Sequence, residues 1–183
     1  MTIVFMGGSR RLTKLAADFC ARVDKIASNG FTILIGDANG ADKCVQEYLH
    51  EKNYAKVVVF HTGETCRNNV GKWPTRSVKH PGSKRDFQHY AAKDLQMAKE
   101  ASCGFMLWDG RSKGTLNNIV NLLANQKPVL VYFTPQRQFC TLNDRAGLQA
   151  LLGRCGDAAI ASFEKKLDLS GVLATSQSSF DFA

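Results

Sequence analysis

Three glycine-containing turns carry the residue types that point to chemistry in this chain. The first is Gly7-Gly8-Ser9-Arg10, the second runs from Gly36 to Asp42 as GDANGAD, and the third runs from Trp108 to Thr115 as WDGRSKGT. Each turn follows an apolar run. A turn between a strand and a helix N-terminus exposes backbone N–H groups, and the helix dipole favours an anion there. The turns therefore indicate a nucleotide-type ligand with a phosphate, which makes Gly7, Gly8, Ser9 and Arg10 candidate contacts.

The second turn combines small residues with two carboxylates. We expect Gly36, Gly40 and Ala41 to let a ligand approach the start of the following helix, because glycine tolerates positive φ and leaves room for close contact. Asp37 is a candidate for a ribose hydroxyl, or it caps the helix. Asp42 is a further candidate contact, or it interacts with the helix dipole from the first turn.

The third turn is the richest in phosphate-binding groups. Gly114 and Thr115 open a helical segment, and Lys113 adds a positive charge beside them. Asp109 and Gly110 complete the candidate nucleotide-binding turn. It is not a P-loop, because the lysine precedes the glycine, and the dinucleotide fingerprint G-x-G-x-x-G is absent. The alternative interpretation is a capped connection in which Thr115 is the N-cap.

Carboxylates near these turns are the candidate catalytic groups. Asp94, in a helical segment before the fourth predicted strand, and Asp37 are suited to cleavage of a glycosidic bond, where a carboxylate stabilises an oxocarbenium-like transition state or forms a covalent intermediate. The alternative for Asp94 is a solvated helix face. Trp108 is interpreted either as a base-stacking side chain or as a core residue. The histidines and six cysteines show no metal-ligand spacing, so neither a metal nor another cofactor is expected.

The segments that must position these turns alternate between strands and helices. Continuous apolar runs predict five strands, at Ile3–Met6, Phe31–Ile35, Val57–Phe60, Gly104–Trp108 and Pro128–Phe133. Helical spacing predicts four intervening helices, at Thr13–Ser28, Ala41–Lys52, Asp86–Ser102 and Thr115–Asn125. This order predicts an α/β fold: a Rossmann-like three-layer α/β/α sandwich with a mostly parallel five-stranded sheet in residues 1–135.

The C-terminal residues 136–183 are predicted to form a small helical extension that packs on this domain, with short helices at Asp144–Leu152 and Asp157–Leu167. In an open parallel sheet the ligand lies at the carboxyl ends of the strands, near the switch in strand order. All three turns are expected at that edge.

Charge and hydropathy narrow the classes of partner. The chain of 183 residues has a formal net charge of +8, which favours an anionic partner without separating a nucleotide from a nucleic acid. The densest basic stretch, Arg67 to Arg85, is interpreted as a lid over phosphates or as a solvated loop. No apolar stretch approaches the roughly 20 residues of a membrane span, and no leader is evident, so we expect a cytoplasmic protein without a membrane partner.

The order of the three turns resembles the SLOG superfamily, a Rossmann-like group that includes DprA, the LOG proteins and the YspA-type proteins. The second turn is similar to the GDxxGAD signature of the YspA-type branch, and the third to its WDGxSxGT. The resemblance extends from Met1 to Phe133. It implies a nucleotide-derived ligand along the strand ends. Because relatives often pair, it also implies a homodimer.

The same resemblance bears on chemistry. LOG-type phosphoribohydrolases carry PGGxGTxxE, whose glutamate serves the glycosidic bond, and the matching position here is Asn118. DprA-like relatives bind single-stranded DNA. Three functions follow, in order of preference. The first is binding, and perhaps sensing, of a nucleotide or derivative such as ADP-ribose, NAD or a nucleoside monophosphate. The second is cleavage or transfer at a base–ribose bond, and the third is binding of single-stranded nucleic acid.

Overall fold

The computed structural model describes residues 1–79 and 87–164. Seven strands occur in these ranges: β1 (Ile3–Gly8), β2 (Thr32–Gly36), β3 (Val57–Thr62), β4 (Thr75–Val78), β5 (Cys103–Trp108), β6 (Val129–Phe133) and β7 (Gln138–Leu142). Six helices accompany them: α1 (Ala17–Ser28), α2 (Ala41–Glu51), α3 (Phe87–Glu100), α4 (Lys113–Ala124), α5 (Arg145–Leu152) and α6 (Asp157–Glu164). Lys84 and Arg85 of the basic stretch, and the end of the last predicted helix, lie outside the described residues.

The strands form one sheet in the order β4-β3-β2-β1-β5-β6-β7. All neighbouring pairs are parallel except β6 and β7, which are antiparallel. The strand order changes direction between β1 and β5, where Gly7 is opposite Met106 and Gly8 is opposite Leu107. The predicted Rossmann-like α/β fold is confirmed, and its switch point lies at the first and third glycine turns.

The expected strand count of five is corrected to seven, because two polar edge strands escape a search for apolar runs. β4 consists of Thr-Arg-Ser-Val, and its first three residues are exposed. In β7 only Leu142 is buried. Edge strands face solvent along one side and tolerate polar residues, so continuous hydrophobicity detects only the interior of a parallel sheet.

Two apolar layers enclose the sheet. One face packs against α3, α4, α5 and α6, with Phe5, Met97, Trp108 and Phe163 among its buried residues. The other face packs against α1 and α2, with Phe19 stacked on Phe105 at a centroid distance of 4.5 Å. The strands are buried from both sides, which explains why their sequences are continuously apolar.

The segment after residue 135 continues this architecture. β7 adds a seventh strand to the sheet, and α5 packs beside it, with Leu148 and Leu151 buried. The division of the chain at residue 135 into a domain and an extension remains a prediction. Among the described residues, no helix has the length and apolar character required to cross a membrane.

Candidate functional site

A cleft of about 960 Å³ opens at the carboxyl ends of β1 and β5, on the sheet face that α3 and α4 cover. The β1 side supplies Phe5, Gly7, Gly8, Arg10 and Arg11. α3 supplies Tyr90, Ala91, Lys93, Asp94 and Met97. The turn and first residues of α4 supply Asp109, Arg111, Ser112, Lys113, Gly114, Thr115, Asn117 and Asn118. Ala38 and Asp42 line it from the second turn, and Gly156, Ala158, Ala159, Ser162 and Phe163 from the C-terminal segment.

The first and third turns are joined through a buried serine. Ser9 Oγ donates to Asp109 Oδ1 at 2.9 Å and accepts from the Asp109 N–H at 3.2 Å. The Thr115 hydroxyl lies 3.4 Å from the same Ser9 oxygen. Ser9 is fully buried and does not line the cleft, so its hydroxyl holds the two turns together.

The Asp109 carboxylate shapes its own turn. Its Oδ1 accepts from the N–H groups of Arg111 at 3.0 Å and Ser112 at 2.8 Å. Ser112, rather than Thr115, is the N-cap of α4, and its Oγ accepts from the Thr115 N–H at 3.3 Å. This side chain stabilises the start of the helix in the way that serine N-caps commonly do.

The N–H groups of Lys113 and Gly114 precede the first intrahelical bond of α4, from Leu116 N–H to the Ser112 carbonyl. They have no hydrogen-bond acceptor among the described residues. A Cβ at Gly114 would meet no atom within 4 Å, so a ligand can approach this backbone closely. The arrangement, with Lys113 beside it, suits an anion.

Three charged side chains cluster where α3 faces the second turn. Lys93 is only 3% exposed, and its Nζ donates to Asp94 Oδ1 at 2.5 Å. Burial alone would lower the pKa of Lys93, but the charges of Asp94 and Asp42 outweigh it and raise that pKa. Burial raises the pKa of Asp42 to about 6 in spite of the nearby Lys93 charge.

Gly36 makes room for this cluster. A Cβ at Gly36 would lie 2.5 Å from Asp42 Oδ2 and 2.7 Å from Lys93 Nζ. Any larger residue would therefore displace one of the two charged groups. Gly36 is close to the site through these contacts, although it does not itself line the cleft.

Asn118 connects the α3 cluster to the start of α4. In the amide orientation that satisfies its neighbours, Asn118 Nδ2 donates to Asp94 Oδ2 at 3.2 Å and to the Gly114 carbonyl at 3.0 Å. Asp94 thus receives one donor on each carboxylate oxygen, from Lys93 and from Asn118. Its side chain retains 17% exposure and faces the cleft.

Asp37 is engaged by the basic stretch. Arg67 donates from Nε to Asp37 Oδ2 at 2.9 Å and from Nη2 to Oδ1 at 2.6 Å, and its backbone N–H adds a third bond. Burial would raise the pKa of Asp37, but the Arg67 hydrogen bonds and charge overcome it and hold that pKa below its ordinary value. Asp37 is 1% exposed and does not line the cleft.

An aromatic ring joins two arginines at the mouth of the cleft. The guanidinium of Arg10 lies 5.3 Å from the Tyr90 ring centroid, and that of Arg67 lies 5.1 Å from it. Both distances are within the range of cation–π attraction. Arg67 is thereby held by Asp37 and by Tyr90, whereas Arg10 lines the cleft.

The structure divides the sequence-predicted residues into two groups. Those that line the cleft are Gly7, Gly8, Arg10, Asp42, Asp94, Asp109, Lys113, Gly114 and Thr115. Those that lie behind it are Ser9, Gly36, Asp37, Gly40, Ala41, Trp108 and Gly110. Among the second group, Trp108 is fully buried, with Phe133 and Phe163 beside its ring, and its Nε1 donates to the Ser112 carbonyl at 3.0 Å. The Trp108 ring is therefore unavailable for stacking on a ligand.

Gly40 and Ala41 pack against the first turn. Gly40 has φ +80°, and a Cβ there would collide with the carbonyl of Arg10. Ala41 is buried, and its N–H donates to the Ser9 carbonyl at 3.3 Å. The N-terminus of α2 is consequently closed by the first turn, so the open helix start at the cleft belongs to α4.

Several lining residues were not predicted as site residues. Lys93 and Tyr90 lie on a helix whose charged and aromatic side chains are compatible with a solvated or core face. Their only sequence signal is a Lys-Asp pair beside buried positions of α3. The residues of α6 carried no signal, because a run of small side chains specifies no ligand.

No family model matches the chain, and no curated protein sequence matches it. Solved structures similar to it include that of DNA processing protein A from Helicobacter pylori, studied for its single-stranded DNA binding mode. The TM-score is 0.58 at 20% sequence identity, and the likeness covers 91% of this chain and 80% of that chain. At this identity the likeness shows a shared Rossmann-like fold.

Proposed function

We propose that the protein binds a nucleotide or a nucleotide-derived ligand, such as ADP-ribose, NAD or a nucleoside monophosphate, in the cleft between β1, α3 and α4. The observation that carries this proposal is the open start of α4, where the N–H groups of Lys113 and Gly114 have no acceptor among the described residues. Backbone donors, the helix dipole and a lysine at one point are suited to a phosphate.

The rest of the cleft supports the same ligand class. Arg10, Arg11 and Arg111 surround the α4 start with further positive charge. Phe5 and Met97 line it with apolar surface. Binding sites for small molecules usually combine an apolar lining with a few placed polar groups. We therefore infer that the phosphate lies at α4 and that the remainder of the ligand extends over the apolar surface.

Membership of the YspA-type branch of the SLOG superfamily is part of this proposal. The GDxxGAD and WDGxSxGT motifs support it, and both turns lie at the switch point of the sheet. A cytoplasmic location and a homodimer are proposed on the same resemblance.

Calorimetry with AMP, ADP-ribose and NAD, preceded by native mass spectrometry with a nucleotide mixture, tests the proposal. A Lys113→Glu variant should lose most of the affinity, because a negative charge then faces the phosphate, while glutamate remains favourable in the first turn of a helix. Lys14→Glu makes the same change in net charge at an exposed position outside the cleft and should bind normally. Absence of heat with all three ligands at millimolar concentration would refute nucleotide binding.

A second candidate function is cleavage of a base–ribose bond, favoured by the position of Asp94 in the cleft. The C1′–N bond would break with water supplying the new C1′ hydroxyl and the base leaving with a proton. A carboxylate would stabilise the oxocarbenium-like transition state. Chromatography that detects free base, and its loss in Asp94→Asn, would support this activity. No released base across a panel of nucleotides would exclude it.

Binding of single-stranded DNA is a third candidate, supported by the structural similarity to DNA processing protein A and by the net charge of +8. Phosphate contacts would make such binding steeply dependent on salt. Retardation of an oligonucleotide at low salt that weakens steeply as salt increases is the expected result. A gel without retardation at low salt would remove this candidate.

A further inference from the structure

Asp94 is held in a fixed orientation on the α3 wall of the cleft. Lys93 donates to its Oδ1 at 2.5 Å, and Asn118 donates to its Oδ2 at 3.2 Å. Lys93 is almost fully buried, so its ammonium group cannot swing into solvent without breaking this contact. An ionised carboxylate offers about four lone-pair positions. Each Asp94 oxygen therefore retains an acceptor position beyond the bond it already makes.

Asn118 sets the distance between this carboxylate and the anion-binding start of α4. Its Nδ2 also donates to the Gly114 carbonyl, four residues earlier in the same helix. One turn of α-helix rises about 5.4 Å. A ribose ring spans a comparable length between its 5′-phosphate and its vicinal 2′ and 3′ hydroxyls. A phosphate at Lys113 and Gly114 thus leaves the sugar beside Asp94.

We propose that Asp94 accepts hydrogen bonds from the vicinal hydroxyls of the ligand sugar, so that the cleft selects ribonucleotides over their deoxy counterparts. This inference builds on the proposed function, because it assumes that a nucleotide phosphate binds at α4. A carboxylate with one acceptor position on each oxygen matches two adjacent hydroxyl donors. A second phosphate at this point would be repelled by the same charge.

The test compares AMP, 2′-deoxy-AMP and 3′-deoxy-AMP on the unmodified protein by calorimetry. Each deoxy ligand should bind about tenfold or more weakly than AMP, because it leaves one charged acceptor without its donor. In Asp94→Asn the preference for AMP should fall below about threefold, since a neutral amide accepts less strongly. Asp157→Asn, which changes an exposed carboxylate outside the cleft, should keep the full preference.

The outcomes separate the two proposals. Equal affinities for the three ligands would overturn sugar recognition and leave nucleotide binding intact. Retention of the full preference in Asp94→Asn would overturn the role of this carboxylate. Absence of binding by any of the three would overturn the proposed function and the inference with it. The ligand series on the unmodified protein decides the matter even where the variant does not fold.

Discussion

Ser9 and Asp109 bond to each other twice across the switch point of the sheet, although they are 100 positions apart in the sequence. The Ser9 hydroxyl donates to the carboxylate, and the Asp109 N–H donates back to the hydroxyl. One Oγ atom therefore fixes the end of β1 against the turn that begins α4. The open N–H groups of that helix depend on this contact for their position.

Replacing Ser9 with alanine should lower the free energy of unfolding by about 1–3 kcal/mol, because the buried partners lose their hydrogen bonds. Urea denaturation measures the change. Ser28→Ala removes an exposed hydroxyl that bonds only to the Lys25 carbonyl nearby, so it should stay within about 0.5 kcal/mol of the unmodified protein. Similar small losses for both variants would show that the Ser9 contact contributes little.

Gly7 and Gly8 are adjacent but should respond differently to alanine. A Cβ at Gly8 would lie 2.6 Å from both the Ala41 Cβ and the Leu107 carbonyl oxygen, so the first turn would have to move. Gly8→Ala should cost about 1–3 kcal/mol through this overpacking. At Gly7 the nearest atom to a Cβ is on the Phe5 ring at 3.4 Å, an ordinary contact.

Gly7→Ala should therefore fold with nearly unchanged stability, and its methyl group should occupy part of the cleft. Thermal unfolding of the two variants checks the stability difference, and calorimetry with AMP checks the loss of ligand space at Gly7. Equal destabilisation by both substitutions would contradict the packing described for the first turn.

Arg67→Ala should destabilise the protein because it leaves the buried carboxylate of Asp37 without its guanidinium partner. Removing one member of a buried pair commonly costs about 3–5 kcal/mol, and the partial exposure of Arg67 reduces the expected loss to about 2–4 kcal/mol. Since the pKa of Asp37 is lowered in the folded protein, this contribution is present above about pH 4 and is lost as the pH falls further.

The matched control for Arg67 is Arg76→Ala. Arg76 pairs with Glu100 at the edge of the sheet, and the Arg76 side chain is 52% exposed. Exposed ion pairs contribute about 0–1 kcal/mol, so this variant should remain close to the unmodified protein in urea denaturation at pH 7. A loss at Arg76 as large as that at Arg67 would argue against a special role for the Asp37 contact.

The limits of sequence interpretation are visible at particular residues. The apolar strands predicted the parallel sheet because burial on both faces leaves them continuously hydrophobic. Gly114 and Lys113 were predicted near the ligand edge because strand–turn–helix order fixes where a helix begins. Lys93 was not singled out as a site residue, because a lysine in mid-helix ordinarily faces solvent. Its burial depends on Gly36, a contact between distant segments that no local pattern encodes.

The pH dependence of stability provides a test of the buried charges. The pKa of Asp42 is raised to about 6 in the folded protein from an ordinary value of 3.8. The folded state therefore binds a proton at a higher pH than the unfolded chain does. It follows that the contribution of Asp42 to the free energy of unfolding decreases as the pH rises from about 4 to about 6, and is constant above that range.

In Asp42→Asn this titration is absent, so the stability difference between variant and unmodified protein should change with pH in favour of the variant. The change between pH 4 and pH 6 should be at most about 3 kcal/mol, measured by urea denaturation at several pH values. The carboxyl ¹³C shift of Asp42 should titrate near pH 6. A difference that does not vary with pH, or a titration near pH 4, would show that Asp42 retains its charge in contact with Lys93 as readily as in water.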